Sequence, residues 1–289
     1  MRYRLRRFEH VAMHGRWFPA AISRPIQEYL MSLKGKKVIL TGGSGGIGRP
    51  LATELLEDGA DLTVMSRSDQ VPEGSRHLQA DLSTLEGIAA AQAAIAREQP
   101  EILINLAGTQ YFGPIEDQHP DDLFKSYLVN LLAPVSLCQA SLPAMKQRNS
   151  GQVVNVGSVF GSIPFAHFAA YSSAKAGLRA FSEALRRELA DTDVSVTHIS
   201  PRATRTNFMT PQIRKYAQVT GMSIDDPVNV ARSMFTAIKQ RRKDLCIGLP
   251  ERIFVRINAV FPRLVDAAVA KNDRMSKMLF SAAIPERSA

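Results

Sequence analysis

The stretch "KVILTGGSGGIGRPLATELLEDG", residues 37–59, carries three patterns in succession. "KVIL" is a short apolar run of the kind that a strand buried on both faces requires. "TGGSGGIG" (41–48) follows it, and "IGRPLATELLEDG" (47–59) then sets apolar residues at helical spacing and stops at Gly59. Strand, glycine turn and helix in that order open a βαβ unit. Gly42, Gly46 and Gly48 permit a tight turn, a close backbone approach and close packing of helix on strand. N–H groups at the helix start, with the positive end of its dipole, suit a pyrophosphate. The candidate contacts in this turn are Gly42, Ser44, Gly46, Ile47 and Gly48.

Outward from this turn, strands and helices alternate, with no internal repeat and no low-complexity linker. Strands are expected at 61–65, 76–81, 101–108, 151–158, 194–201 and 244–250. Helices are expected at 85–100, about 121–148, about 168–190 and 227–241. That alternation predicts an α/β fold of Rossmann type: a doubly wound parallel sheet covered by helices on both faces. Ligands of such sheets bind outside the carboxyl ends of the strands. Every candidate residue below follows a predicted strand or lies on the helix after one.

The second strand is expected to end beside an adenosine ribose, where an Asp or Glu would bind the 2′-hydroxyl of NAD. "DLTVM" is followed instead by Ser66 and Arg67. A hydroxyl and a guanidinium suit a 2′-phosphate, so NADP(H) is favoured over NAD(H). The alternative for Arg67 is an ordinary loop arginine. Asp81 is a candidate for the adenine edge, or a helix cap.

In "FAAYSSAKAGLRAFSEALRREL" (168–189), Tyr171 and Lys175 stand four positions apart, on one helix face. Taken alone, they read as a solvated pair. In company they do not: "TGGSGGIG", "NLAG" (105–108), Asn130, Ser158 and "YSSAK" (171–175) resemble the motif set of the short-chain dehydrogenase/reductase family, in its order and spacing. The resemblance spans about residues 34–250. It implies one Rossmann domain, a nicotinamide cofactor, reversible carbonyl–alcohol chemistry, and a homodimer or homotetramer. By the same resemblance Asn105 bridges adjacent strands near the cofactor, Ala107 and Gly108 line the cofactor's path, and Pro201 and Thr206 meet the nicotinamide end. Asn130 resembles the residue that completes a proton relay.

Ketone reduction needs a proton for the developing alkoxide, and a free phenol with a pKa near 10 is a sluggish partner at neutral pH. A nearby cation stabilises phenolate, so Lys175, together with the positive oxidised nicotinamide, is expected to depress the pKa of Tyr171, and Lys175 to bond the cofactor ribose. Ser158 can reach the same carbonyl oxygen. The catalytic candidates are therefore Asn130, Ser158, Tyr171 and Lys175. One departure stands out: the family's Pro-Gly after the sixth strand is Pro201–Arg202 here. Arg202 is expected either to shift the backbone facing the nicotinamide or to supply a charge near the substrate. Alternative functions are a non-catalytic NADP-binding or membrane-associated protein on this fold, and a related epimerase or dehydratase.

"VFGSIPFAHF" (159–168) and a lid beginning "NFMTPQI" (207–213) are largely apolar, which favours an apolar substrate. A ketone on a fatty, terpenoid or sterol-like body and a 3-oxoacyl thioester both fit. In 251–280 the residues Ile253, Phe254, Ile257, Val260, Phe261, Leu264, Val265 and Ala268 recur at helical spacing, interspersed with Arg252, Arg256 and Arg263. This is an amphipathic helical extension (251–289), bent at Pro262, that packs on the domain, on a partner subunit or over the substrate entrance, or lies on an anionic membrane.

The chain has 289 residues, 45% hydrophobic, and a net charge of +9. Residues 1–30 contribute +4 and residues 251–280 contribute +3, leaving +2 for 31–250. Charge concentrated at the ends fits an anionic surface or partner, not nucleic acid. Residues 1–33 read as a basic, poorly ordered extension, as an overlong reading of the gene's start, or as a targeting peptide. Met31 opens "MSLKGKKVILTGG", a usual start for the family. No apolar run approaches the ~18 residues of a membrane span. Cys138 and Cys246 are expected to be reduced, without metal-ligand spacing, which suits a cytoplasmic protein with peripheral membrane contact as the alternative.

Overall fold

The computed structural model describes residues 31–281; the expected extension over 1–30 and the segment 282–289 lie outside them. The strands are β1 (Lys37–Thr41), β2 (Asp61–Ser66), β3 (Arg76–Gln79), β4 (Ile102–Asn105), β5 (Gly151–Val156), β6 (Val194–Ser200) and β7 (Asp244–Cys246). They form one seven-stranded sheet in the order β3-β2-β1-β4-β5-β6-β7, parallel throughout. The order reverses between β1 and β4, which creates the crevice where open α/β sheets bind ligands. Thr41 closes that point, because its hydroxyl accepts from the Leu106 and Ala107 N–H groups at 3.0 Å each.

In chain order the helices are α1 (Gly48–Glu57), α2 (Leu85–Glu98), α3 (Pro120–Tyr127), α4 (Ala133–Gln147), α5 (Ala169–Glu188), α6 (Pro211–Thr220), α7 (Pro227–Lys239), α8 (Leu249–Val260) and α9 (Pro262–Ser281). Strand alternation sorts the core into two layers. Val38 and Leu40 pack with Leu51 and Leu55 of α1 and Met234 and Ile238 of α7. Ile39 points the other way, with Ile95 of α2, Leu137 of α4 and Leu185 of α5. Burial on both faces explains why the strands read as apolar runs. The fold is the doubly wound, Rossmann-like sheet with C-terminal helices added.

Several expectations change in detail. Residues 31–33, read as part of the extension, pack on this body: the Met31 N–H donates to Lys239 O, and Leu33 is fully buried. The expected helix over 121–148 is α3 and α4 joined by a π-helical turn at Leu128–Leu132. Pro134 has no N–H to give the Asn130 carbonyl, so the α-helical ladder cannot run unbroken there. The span Pro120–Gln147 is also long and apolar enough to cross a membrane, contrary to the sequence reading. Ala133, Leu137, Cys138 and Met145 within it are fully buried against the sheet, the mark of a core helix. The last strand ends at Cys246, not 250, because α8 already begins at Leu249.

Candidate active site

The glycine turn is tight because side chains do not fit. Gly42 has φ +72°, and a Cβ there would lie 2.9 Å from the Ala107 backbone. A Cβ on Gly46 would come within 2.3 Å of Thr206. The turn at the end of β1 is thus closed from above by the loop that follows β6. Beside it opens a cleft of about 780 Å³ along the carboxyl ends of the strands.

Gly42, Ser44, Gly46, Ile47 and Gly48 line one end of the cleft. Ser66 and Arg67 meet it past β2, and Asp81 past β3. The Asp81 carboxylate accepts from the Ser83 N–H at 3.0 Å and hydroxyl at 2.7 Å, which holds its pKa below the usual range. Ala107, Gly108, Pro201 and Thr206 line the middle, with Ser158, Tyr171 and Lys175. Asn105 is the exception. It is buried beneath the cleft, off its lining, and donates to Asn155 Oδ1 at 2.9 Å. The bridge between adjacent strands expected of it is present.

Three elements carry the catalytic candidates: Ser158, Tyr171 and Lys175 line the cleft, and the fully buried Asn130 lies off its lining, behind Thr109. Ser158 follows β5 in extended conformation, and its hydroxyl accepts from the Phe160 N–H at 3.1 Å. Tyr171 and Lys175 project from the first turns of α5, with the ammonium nitrogen 5.9 Å from the phenol ring centroid. Lys175 Nζ donates to the Val156 carbonyl at 2.9 Å, which ties α5 to the end of β5. Asn130 sits in the π-helical turn, a feature that often marks function. Its amide donates to Thr109 O (2.7 Å) and Ser126 O (2.9 Å), and its Oδ1 accepts from the Thr109 N–H (3.3 Å). That fastens the Gly108–Thr109 edge of the cleft.

The protonation picture differs from expectation. Burial pushes the Tyr171 phenol up to about 12, against a smaller lowering by the Ser158 hydroxyl. Burial also pulls the Lys175 ammonium down to about 8, and it donates to a backbone carbonyl. Arg202 also departs from one expectation. Its Nε and Nη2 donate to both oxygens of Asp225 at 2.9 and 2.7 Å, and Nη1 to both oxygens of Glu251 at 3.1 Å. These two carboxylates raise its pKa further and take up its charge, so it brings no free cation to the substrate. It joins the loop after β6 to the strand-like bridge at Asp225 and to the start of α8.

The other half of the cleft is apolar: Phe160, Phe168, Phe208, Met209, Ile213 and Tyr216 face it. Phe208 is held by Gln110, whose amide donates to its carbonyl at 2.7 Å. Sequence reading located the 159–168 and 207–213 segments, and offered the C-terminal extension over the substrate entrance, but missed Tyr216, Met222 and Phe112. Leu279 joins their cluster, and the Phe280 ring lies 5.0 Å from that of Phe112. A helical spacing of Ile213, Tyr216 and Ala217 was the available signal for α6.

A parallel sheet with a glycine turn at its switch point, and a Tyr–Lys helix across from it, defines a nucleotide-dependent oxidoreductase class. The model of the family described as "short chain dehydrogenase" matches residues 36–217. The chain is 32% identical over 270 residues to the bovine (Bos taurus) dehydrogenase/reductase SDR family member 7B, covering 83% of each. It is 29% identical to the ketoacyl reductase HetN of Nostoc sp., over 76% of this chain and 80% of that one. A short chain dehydrogenase from Burkholderia cenocepacia, solved in complex with NADP, superposes with TM-score 0.71 at 22% identity, over 83% and 99% of the two chains. The protein belongs to the short-chain dehydrogenase/reductase family of oxidoreductases.

Proposed function

We propose that this chain interconverts a carbonyl and a secondary alcohol on an apolar substrate, using NADP(H), with Tyr171 as proton donor in reduction and acceptor in oxidation. The observation that carries the reading is the convergence of Ser158, Tyr171 and Lys175 in the cleft whose far end is the glycine turn. The turn fits a dinucleotide pyrophosphate because backbone, not side chains, lines it. A bound nicotinamide supplies or accepts the hydride. Everything else falls to the chain's own groups.

At neutral pH the buried phenol is protonated, the form that gives a proton to a developing alkoxide. The Ser158 hydroxyl stands beside it to hold the same oxygen. Lys175, charged below about pH 8, places a cation near the phenol and offsets phenolate once the proton has left. Asn130 keeps the Thr109 edge in place. The Phe160–Tyr216 half of the cleft excludes water and favours an apolar ketone or a 3-oxoacyl thioester. Arg67, exposed at the nucleotide end with no carboxylate on β2's last residue, favours a 2′-phosphate. A homodimer or homotetramer is the assembly we assign.

The test is nucleotide oxidation across apolar ketones and 3-oxoacyl thioesters, with NADPH and NADH in parallel. NADPH is expected to be preferred, and Arg67→Ala to narrow that preference about tenfold or more. Faster turnover with NADH would overturn the cofactor assignment.

A further inference from the structure

The amphipathic stretch after β7 divides its apolar residues between a packed set and an exposed set. Val255, Ile257, Val265 and Val269 turn inward and pack with Cys246 over Val159 and Ile163, next to Ser158. The remainder face solvent. Leu249, Ile253 and Val260 form one stripe along α8, at i, i+4 and i+11, and are 69, 52 and 66% exposed. Phe261 and Leu264, both 62% exposed, extend it around the corner into α9, and Phe254 flanks it at 45%. Among the described residues, thirteen large apolar side chains are exposed, and six lie within these sixteen positions. The others are scattered along the chain. Packing on the domain therefore accounts for only half of the helix's apolar surface, and a contiguous outward patch marks an interaction surface.

Its charge says what it fits. Arg252, Arg256 and Arg263 are exposed around the patch, and unlike Arg202 they make no ion pair among the described residues. Of the nearby acids, Glu251 is held by Arg202, and Asp266 is exposed beyond Leu264. A second copy docked through the same patch would set these arginines against their equivalents. An anionic lipid surface satisfies both features at once: aromatic and aliphatic tips enter the acyl boundary while guanidinium groups meet headgroup phosphates. We propose that the α8–α9 corner is a peripheral membrane-docking surface that recognises anionic phospholipid. Helix α9 also joins the apolar cluster behind the substrate half of the cleft, through Leu279 beside Tyr216, and packs Val265 against Val159. Docking there holds the apolar end of the site against the phase where apolar substrates collect.

The proposal is independent of the catalytic reading, because binding is scored without turnover. The full chain is sedimented with phosphatidylcholine vesicles, with and without phosphatidylglycerol. It is expected to bind the anionic vesicles and to lose binding in Phe261→Ser/Leu264→Ser. Each of Arg252→Gln, Arg256→Gln and Arg263→Gln should weaken binding about fivefold, and high salt should do the same. All these side chains are exposed, so unfolding temperature should not change, and a thermal melt confirms that each variant is folded. Equal binding by the Phe261→Ser/Leu264→Ser variant would overturn the proposal and assign any lipid affinity to residues 1–30 or another surface. A fall in solution mass for that variant, with no vesicle binding by the parent chain, would give the patch to a second copy instead.

Discussion

The two ends of the cleft are built by different means. The nucleotide end is a single run, Gly42–Gly48, fixed by backbone geometry and the absence of side chains: a Cβ at Gly46 or Gly42 would strike Thr206 or Ala107. The substrate end gathers Phe112, the 159–168 segment, α6 and the last turns of α9, which are far apart in the chain. One is a local constraint and the other a product of tertiary packing. The contrast continues in their cations. Lys175 is buried without an acid and is pulled down to about 8, whereas Arg202 is locked between Asp225 and Glu251. The first is poised for chemistry and the second holds the wall in place.

Removing the poised cation should have the larger effect. Lys175→Met is expected to lower turnover by about 10²–10³-fold while the chain stays folded. The parent enzyme should lose reductive kcat/KM as pH rises through about 8, because burial lowers the lysine's pKa and the ammonium is the form lost on that side. The variant should show no such limb, and a pH profile of both enzymes checks this. At the nucleotide end, Gly46→Ala should weaken dinucleotide binding about tenfold by driving a methyl into Thr206. Titration of Gly46→Ala/Thr206→Gly should recover part of that loss, and no recovery would mean the turn itself is strained.

At the substrate end, Arg202→Met leaves two carboxylates facing each other without a cation. Allowing for partial exposure, about 2 kcal/mol of stability is expected to go, or roughly 5 °C in Tm. Adding Asp225→Asn and Glu251→Gln should restore most of it. An unchanged melt for Arg202→Met would show the clamp to be incidental.

The same division decides what the sequence made legible. The sheet, its helical layers, the glycine turn and the Tyr171–Lys175 helix all follow from local periodicity and spacing. Asn130's π-helical turn did not, although Pro134 four residues on was a sign that the ladder breaks there. Asn105 was legible as a strand bridge from "NLAG", and strand alternation turns its side chain into the core. The expected acidification of Tyr171 considered the charges of Lys175 and an oxidised nicotinamide and left out desolvation, which dominates for a fully enclosed phenol. Arg202's partners stand 23 and 49 residues away, beyond any local pattern.

The account rests on Tyr171 carrying the proton while other groups bind the nucleotide. Tyr171→Phe, measured for NADPH affinity by titration and for turnover on the best substrate, separates those roles. Unchanged nucleotide binding with turnover reduced to background is the predicted result. Turnover that survives the loss of the hydroxyl would contradict it.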